Sequence, residues 1–292
     1  MMTRSFNKLP EECVSTILSL SSPRDACRAA AACSGLRAAA ASDFVWESFL
    51  PDDYNEILSR ADQSLVNKIG SKKDLFLILC NSLPIDGGNK IFMVERSQGL
   101  KSYILSAREL KIIWANDPMY WCWKHASCSR FSETAELRTT SWLEIEGNIK
   151  TNWLSPNTTY GAYLIFKVSE RAYGLDTMPM EVSVQVGNDP VCRTAVHLHQ
   201  DDGGPKHQIE RLLYSNRIQM LASRVVQGPT GSVPVLPSAR DDGWMEIELG
   251  RFFSGKPCDH DDDREVKMSL MEIKGHHLKG GLVVEGLEIR PI

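Results

Sequence analysis

The sequence predicts an α+β chain of more than one domain, a small all-α module followed by an antiparallel, jelly-roll-like β-sandwich. Two observations carry this. Apolar residues recur at helical spacing up to about Ser82 and at alternate positions from Ile91 onward. Between the two rhythms stands Pro84-Ile85-Asp86-Gly87-Gly88-Asn89, whose turn-forming residues read as a linker joining two separate cores. A length of 292 residues also exceeds what a single core usually needs. The expected division is a helical module over 1–50, a helical extension and linker over 51–90, and a sandwich over 91–292.

The first helix begins at Leu9-Pro10-Glu11-Glu12, with proline at the start and two acids in the first turn, where the helix dipole favours them. Cys13, Val14, Ile17 and Leu18 then recur on one side. Ser22-Pro23-Arg24-Asp25 has capping-box spacing and opens a second helix through Ala26 to Cys33. Leu36 to Ala41 forms a short third helix, and Ser42-Asp43 caps a turn carrying Phe44, Val45, Trp46 and Phe49 before Pro51. Ser71-Lys72-Lys73-Asp74 is another cap, ahead of the apolar run Leu75 to Cys80.

In the second part, Val182, Val184 and Val186 alternate with polar residues, as do Met245, Ile247 and Leu249. Tyr160 to Phe166 is apolar at every position, which predicts a central strand covered on both faces. Gln200 to Ser238 is less regular and reads as long loops around a strand at Ile218 to Val226.

Composition narrows the function. The net charge is −4 and Lys/Arg residues form no strong cluster, so the basic footprint of a nucleic-acid binder is missing. No apolar run approaches the ~20 residues that span a bilayer, and the chain reads as intracellular, in the cytoplasm, the nucleus or both. Eight cysteines without C-x-x-C spacing read as thiols in a reducing compartment. His197-Leu198-His199 lacks a third metal ligand, and Cys258 to Asp263 lacks the pattern of a calcium loop, so neither predicts a metal. No nucleophile elbow, phosphate loop or zinc-protease motif is present, and no cofactor is implied.

The N-terminal residues Leu9-Pro10-Glu11, Ile17-Leu18, Ser22-Pro23-Arg24-Asp25 and Val45-Trp46 resemble the F-box. That resemblance implies a surface for a Skp-type adaptor and, through it, a cullin, with Leu9, Pro10, Ile17, Leu18, Pro23, Leu36 and Trp46 as the contact residues. Further on, Ser106 to Leu110, Ile113-Trp114, Tyr120-Trp121-Cys122-Trp123, Trp142 to Ile145, Asp242 to Glu246 and Gly286 to Pro291 resemble the phloem protein 2 lectins, the tobacco agglutinin type. In this order the two modules look like the plant F-box proteins of the phloem protein 2 B group.

The resemblance implies a non-catalytic ubiquitin-ligase subunit that binds N-acetylglucosamine-containing glycans or glycoproteins through Trp114, Trp121, Glu265 and Glu272. Aromatic planes stack on sugar C–H faces, and carboxylates accept hydrogen bonds from hydroxyls. Taken alone, the tryptophans read as core and the glutamates as solvated strand residues. Alternation along Glu265 to Ile273 sets the two glutamates on opposite faces, so a bulge near Met271 is needed to unite them. The last turn reads His276-His277-Leu278-Lys279, where those lectins often carry tryptophan. The alternative is an F-box adaptor whose sandwich recognises a protein surface.

Overall fold

The computed structural model describes residues 9–66, 69–176, 178–198, 236–255, 264–274 and 277–292. The expected strand Ile218 to Val226 with its flanking loops up to residue 235, the Cys258 to Asp263 stretch, His199 and His276 lie outside the described residues.

Seven short helices come first: α1 (Glu11–Ser19), α2 (Pro23–Ala30), α3 (Ser34–Ala40), α4 (Asp43–Glu47), α5 (Tyr54–Ser59), α6 (Gln63–Val66) and α7 (Lys72–Leu79). Both predicted capping boxes form. Ser22 Oγ accepts from the Asp25 amide at 3.1 Å and donates to its carboxylate at 2.8 Å, and Ser71 and Asp74 repeat both bonds at the same distances. Trp46 anchors the small core between Phe49 and Phe76, with ring centroids 5.8 and 5.3 Å away. Its indole N–H donates to the Ala40 carbonyl at 2.7 Å, which satisfies the one polar atom that its burial would otherwise strand.

Two antiparallel sheets follow. The larger runs β1 (Leu83–Ile85), β2 (Lys90–Val94), β3 (Lys101–Ser106), β14 (Gly280–Pro291), β8 (Thr159–Tyr173), β12 (Met245–Phe253) and β11 (Ser238–Ala239), in that spatial order. Beside β14 it also carries β6 (Thr134–Leu137), which pairs with β5 (Trp121–Lys124). The smaller runs β10 (Asp189–Val196), β9 (Met180–Val186), β13 (Glu265–Glu272), β7 (Leu143–Lys150) and β4 (Lys111–Ile112).

The inward alternation of β9 is as expected, with Val182, Val184 and Val186 buried. The sheets close where Gly147 of β7 meets Leu287 of β14, since a Cβ there would lie 2.9 Å from the leucine side chain. β8 is central, paired on one side with β14 and on the other with β12. Its outward Ile165 sits in a second apolar cluster with Ile91, Ile104, Phe131 and Trp244, which explains why the strand is apolar on both faces.

The structure corrects the linker and the premise of two separate cores. Leu83–Ile85 is an edge strand on β2, and Asp86–Gly88 is a tight turn with positive φ at all three residues. One continuous apolar cluster runs from Val14, Leu18 and Trp46 through Leu79, Leu83 and Phe92 into the sandwich. Polar bonds reinforce the junction. Arg60 holds Asp86 in a fork at 2.9 and 2.7 Å, Lys90 reaches Asp86 at 2.8 Å and Glu109 at 2.9 Å, and Lys101 meets Asp53 at 2.7 Å. Glycines at 87 and 88 mimic a linker in sequence because the turn needs positive φ (67° and 84°).

Candidate functional site

The chain presents two surfaces of interest, one on the helices and one at an end of the sandwich.

Helix α1 carries two adjacent apolar stripes. Val14 and Leu18 face the core, whereas Cys13 and Ile17, with Leu20 just past the helix end, face water. Ile17 is 51% exposed, Leu20 84% and Phe44 of α4 57%, and Leu9 and Pro10 are exposed ahead of the helix. A bond from Ser48 Oγ to the Ser19 carbonyl at 3.1 Å ties the ends of α1 and α4 together.

The seven expected adaptor contacts therefore divide. Leu9, Pro10 and Ile17 are exposed, Leu36 is half-buried, and Leu18, Pro23 and Trp46 are buried in the module. For those last three the structure corrects the expectation: they build the surface from beneath.

At the sandwich end, the chain leaves the smaller sheet after β4 and crosses to β5 of the larger one through residues 113–120. Trp114 takes a left-handed backbone conformation (φ 57°), unusual for a bulky side chain and worth roughly 1–3 kcal/mol of strain. Its ring stacks on Tyr120 at 4.7 Å and stays 42% exposed.

On β5, alternation puts Trp121 and Trp123 on the same face. Both reach back to the crossing loop, Trp121 Nε1 to the Ile113 carbonyl and Trp123 Nε1 to the Ala115 carbonyl, each at 3.0 Å. The result is a cleft of about 270 Å³ lined by Arg108, Ala115, Asn116, Pro118, Cys122, Arg138 and the two indoles. Arg108 lies 3.6 Å over the Trp123 ring and is paired with Glu133 at 2.6 Å.

The four expected sugar contacts do not converge. Trp121 is 2% exposed and shows the cleft only part of its ring, so it is chiefly a packing residue. Glu272 is buried and ion-paired with the fully buried Lys279, while its other oxygen accepts from the Lys274 amide at 3.2 Å. Lys279 Nζ also donates to the Ser141 carbonyl at 2.9 Å, so the pair is part of the interior.

Glu265 is exposed at the far end of β13, opposite Lys150, whereas Glu272 lies opposite Leu143. Seven residues of strand separate the two by roughly 23 Å. The register of β13 on β7 runs unbroken from Glu265 to Glu272, so no bulge near Met271 unites them. Of the four, Trp114 is exposed on the crossing loop, just before Ala115 and Asn116, which line the cleft.

Sequence reasoning missed Arg108, Arg138 and Trp123. The Trp-x-Trp spacing of 121 and 123 was the available signal for the last. Among the described residues no group of three or more His, Cys, Asp or Glu side chains is arranged to hold a metal ion, and no helix is long and apolar enough to cross a membrane.

Comparison with known proteins settles the kinship. The chain matches the phloem protein 2 family over residues 100–291 and the F-box-like family over 6–51. This is an F-box protein of the phloem protein 2 family. F-box protein PP2-B15 of Arabidopsis thaliana is 50% identical over 97% of this chain and 96% of its own length. F-box protein PP2-B13 of the same plant is 46% identical over 97% and 98%, and F-box protein VBF 45% identical over 97% and 98%. The sheet of this phloem protein 2 member begins before the family match, because β1 and β2 over 83–94 precede residue 100.

Proposed function

We propose that this chain is the substrate-recognition subunit of a Skp–cullin–F-box ubiquitin ligase, and that its sandwich captures a protein surface at the cleft beside Trp114. The observation that carries the adaptor half is the exposed row Leu9, Pro10, Ile17, Leu20 and Phe44, on a module whose core is complete without it. Apolar side chains left in water beside one another fit a helix-packing partner. The chain itself holds client and adaptor together, and ubiquitin transfer belongs to the assembled partners. We place it in the cytoplasm or nucleus, where the seven described cysteines, none in a disulfide, stay reduced.

Protein capture is preferred over sugar capture because the carboxylates a sugar would need are elsewhere. Lys279 neutralises Glu272 in the interior, and Glu265 lies at the other end of its strand. The exposed indole of Trp114 supports a second reading, stacking of an N-acetylglucosamine ring.

Two assays test these halves. Leu9→Ala with Pro10→Ala is expected to abolish co-purification with a Skp-type adaptor, and unchanged co-purification would move the docking surface elsewhere. On a glycan array, the protein reading expects no signal from the folded chain, whereas a signal lost in Trp114→Ala would establish the sugar reading instead.

A further inference from the structure

The polar groups at the cleft are unequally provided. Two guanidiniums line it, Arg108 and Arg138, and no carboxylate does. The acids at its border are already engaged: Glu133 with Arg108, Glu136 with Lys124, and Asp117 with the Met119 amide at 2.9 Å. Arg138 is fixed through its backbone, its amide donating to the Tyr120 carbonyl at 2.8 Å and its carbonyl accepting from the Tyr173 hydroxyl at 3.2 Å. Among the described residues its guanidinium has no carboxylate partner. Both indole N–H groups are spent on backbone carbonyls, so neither tryptophan has a donor left for a ligand.

We propose that the cleft binds a carboxylate on an acidic peptide segment of the captured protein, with Arg138 as the binding cation and Trp123, Ala115 and Pro118 among the residues that wall it. This deepens the protein-capture reading and rests on it. Donor and acceptor balance favours it over a sugar. A sugar hydroxyl both donates and accepts, and the side chains here offer guanidinium donors with Asn116 as the lone amide, whereas a carboxylate only accepts. Charge favours carboxylate over phosphate. Arg108 is cancelled by Glu133, so Arg138 is the one lining cation without an ion pair among the described residues, and Asp117 at the border, held only by a backbone amide, opposes a phosphate of about −1.5 to −2 more than a single carboxylate. Size agrees, because about 270 Å³ lies at the small end for ligand sites and suits one side chain rather than an oligosaccharide.

The test uses the full-length chain and fluorescence anisotropy with four labelled probes: a blocked glutamate-rich dodecapeptide, its glutamine counterpart, a phosphoserine counterpart, and chitotriose. The expected result is binding of the glutamate peptide, weakened at least tenfold in the glutamine peptide and about tenfold by Arg138→Gln, with partial recovery in Arg138→Lys and a reduced salt dependence. The melting temperature of Arg138→Gln should match wild type, since that side chain is exposed.

Equal binding of the glutamate and glutamine peptides, or wild-type affinity in Arg138→Gln, overturns the proposal. So does tenfold tighter binding of the phosphopeptide, or binding of chitotriose alone. Loss of adaptor binding is read in a separate pull-down, so failure of the ligase reading is distinguishable from failure of this one.

Discussion

Ile17 and Leu18 are chemical near-twins one residue apart, and the fold gives them opposite jobs. Leu18→Ala should cost about 2–5 kcal/mol in urea denaturation, because it opens a cavity under α1. Ile17→Ala should leave stability within about 0.5 kcal/mol of wild type, since its side chain meets water. Glu272 is a second residue whose role reverses on inspection. Lys279→Met strands a buried carboxylate and should cost about 3–5 kcal/mol, most of it recovered when Glu272→Leu is added. A ligand-binding Glu272 would instead reduce binding and leave the unfolding midpoint alone. From sequence, alternation set Glu272 on the opposite face from Glu265, but the lysine that neutralises it was not visible, because Lys279 meets it only once the chain has turned between β13 and β14.

At the scale of elements, the strand-and-turn at 83–88 ties the helices to the sandwich. The Arg60 guanidinium, hydrogen-bonded to Asp86, holds that carboxyl well below the usual carboxylate range against a smaller opposing effect of burial. A depressed folded value means that the contribution is complete above the ordinary value of 3.8 and disappears as pH falls through the folded one. Asp86→Asn should therefore destabilise the chain by about 2 kcal/mol at neutral pH, a difference that shrinks as pH drops below about 4. A gap independent of pH would show that the charge is not what matters there.

The helix caps, the alternation of β9 and the centrality of β8 were legible because each is written in a short local run of residues: a cap at i and i+3, an alternation, an unbroken apolar stretch. The edge strand was not, because its three residues are followed by two glycines and carry too little period to outweigh turn chemistry.

For the whole molecule, the change of rhythm near residue 85 marks a change of architecture but not a break in the core, which passes from Trp46 to Phe92 and on into the sandwich. A change of period reports secondary structure, whereas continuity of packing depends on contacts that no local window contains. The candidate site shows the same limit. Resemblance led to Trp114, yet the two arginines that line the cleft stand about 30 residues apart in sequence, Arg108 just after β3 and Arg138 just after β6. A single core also joins the exposed side of α1 and α4 to the sandwich that carries the cleft.

The claim everything else depends on is that the exposed side of α1 and α4 binds a Skp-type adaptor without being part of the fold. Titration calorimetry of the purified adaptor into the full-length chain, wild type against Ile17→Asp, measures this directly. The account predicts one-to-one binding by wild type and at least a hundredfold loss in the variant, with melting temperatures that agree. Equal affinity in the two proteins, or no binding by the folded wild type, would contradict it.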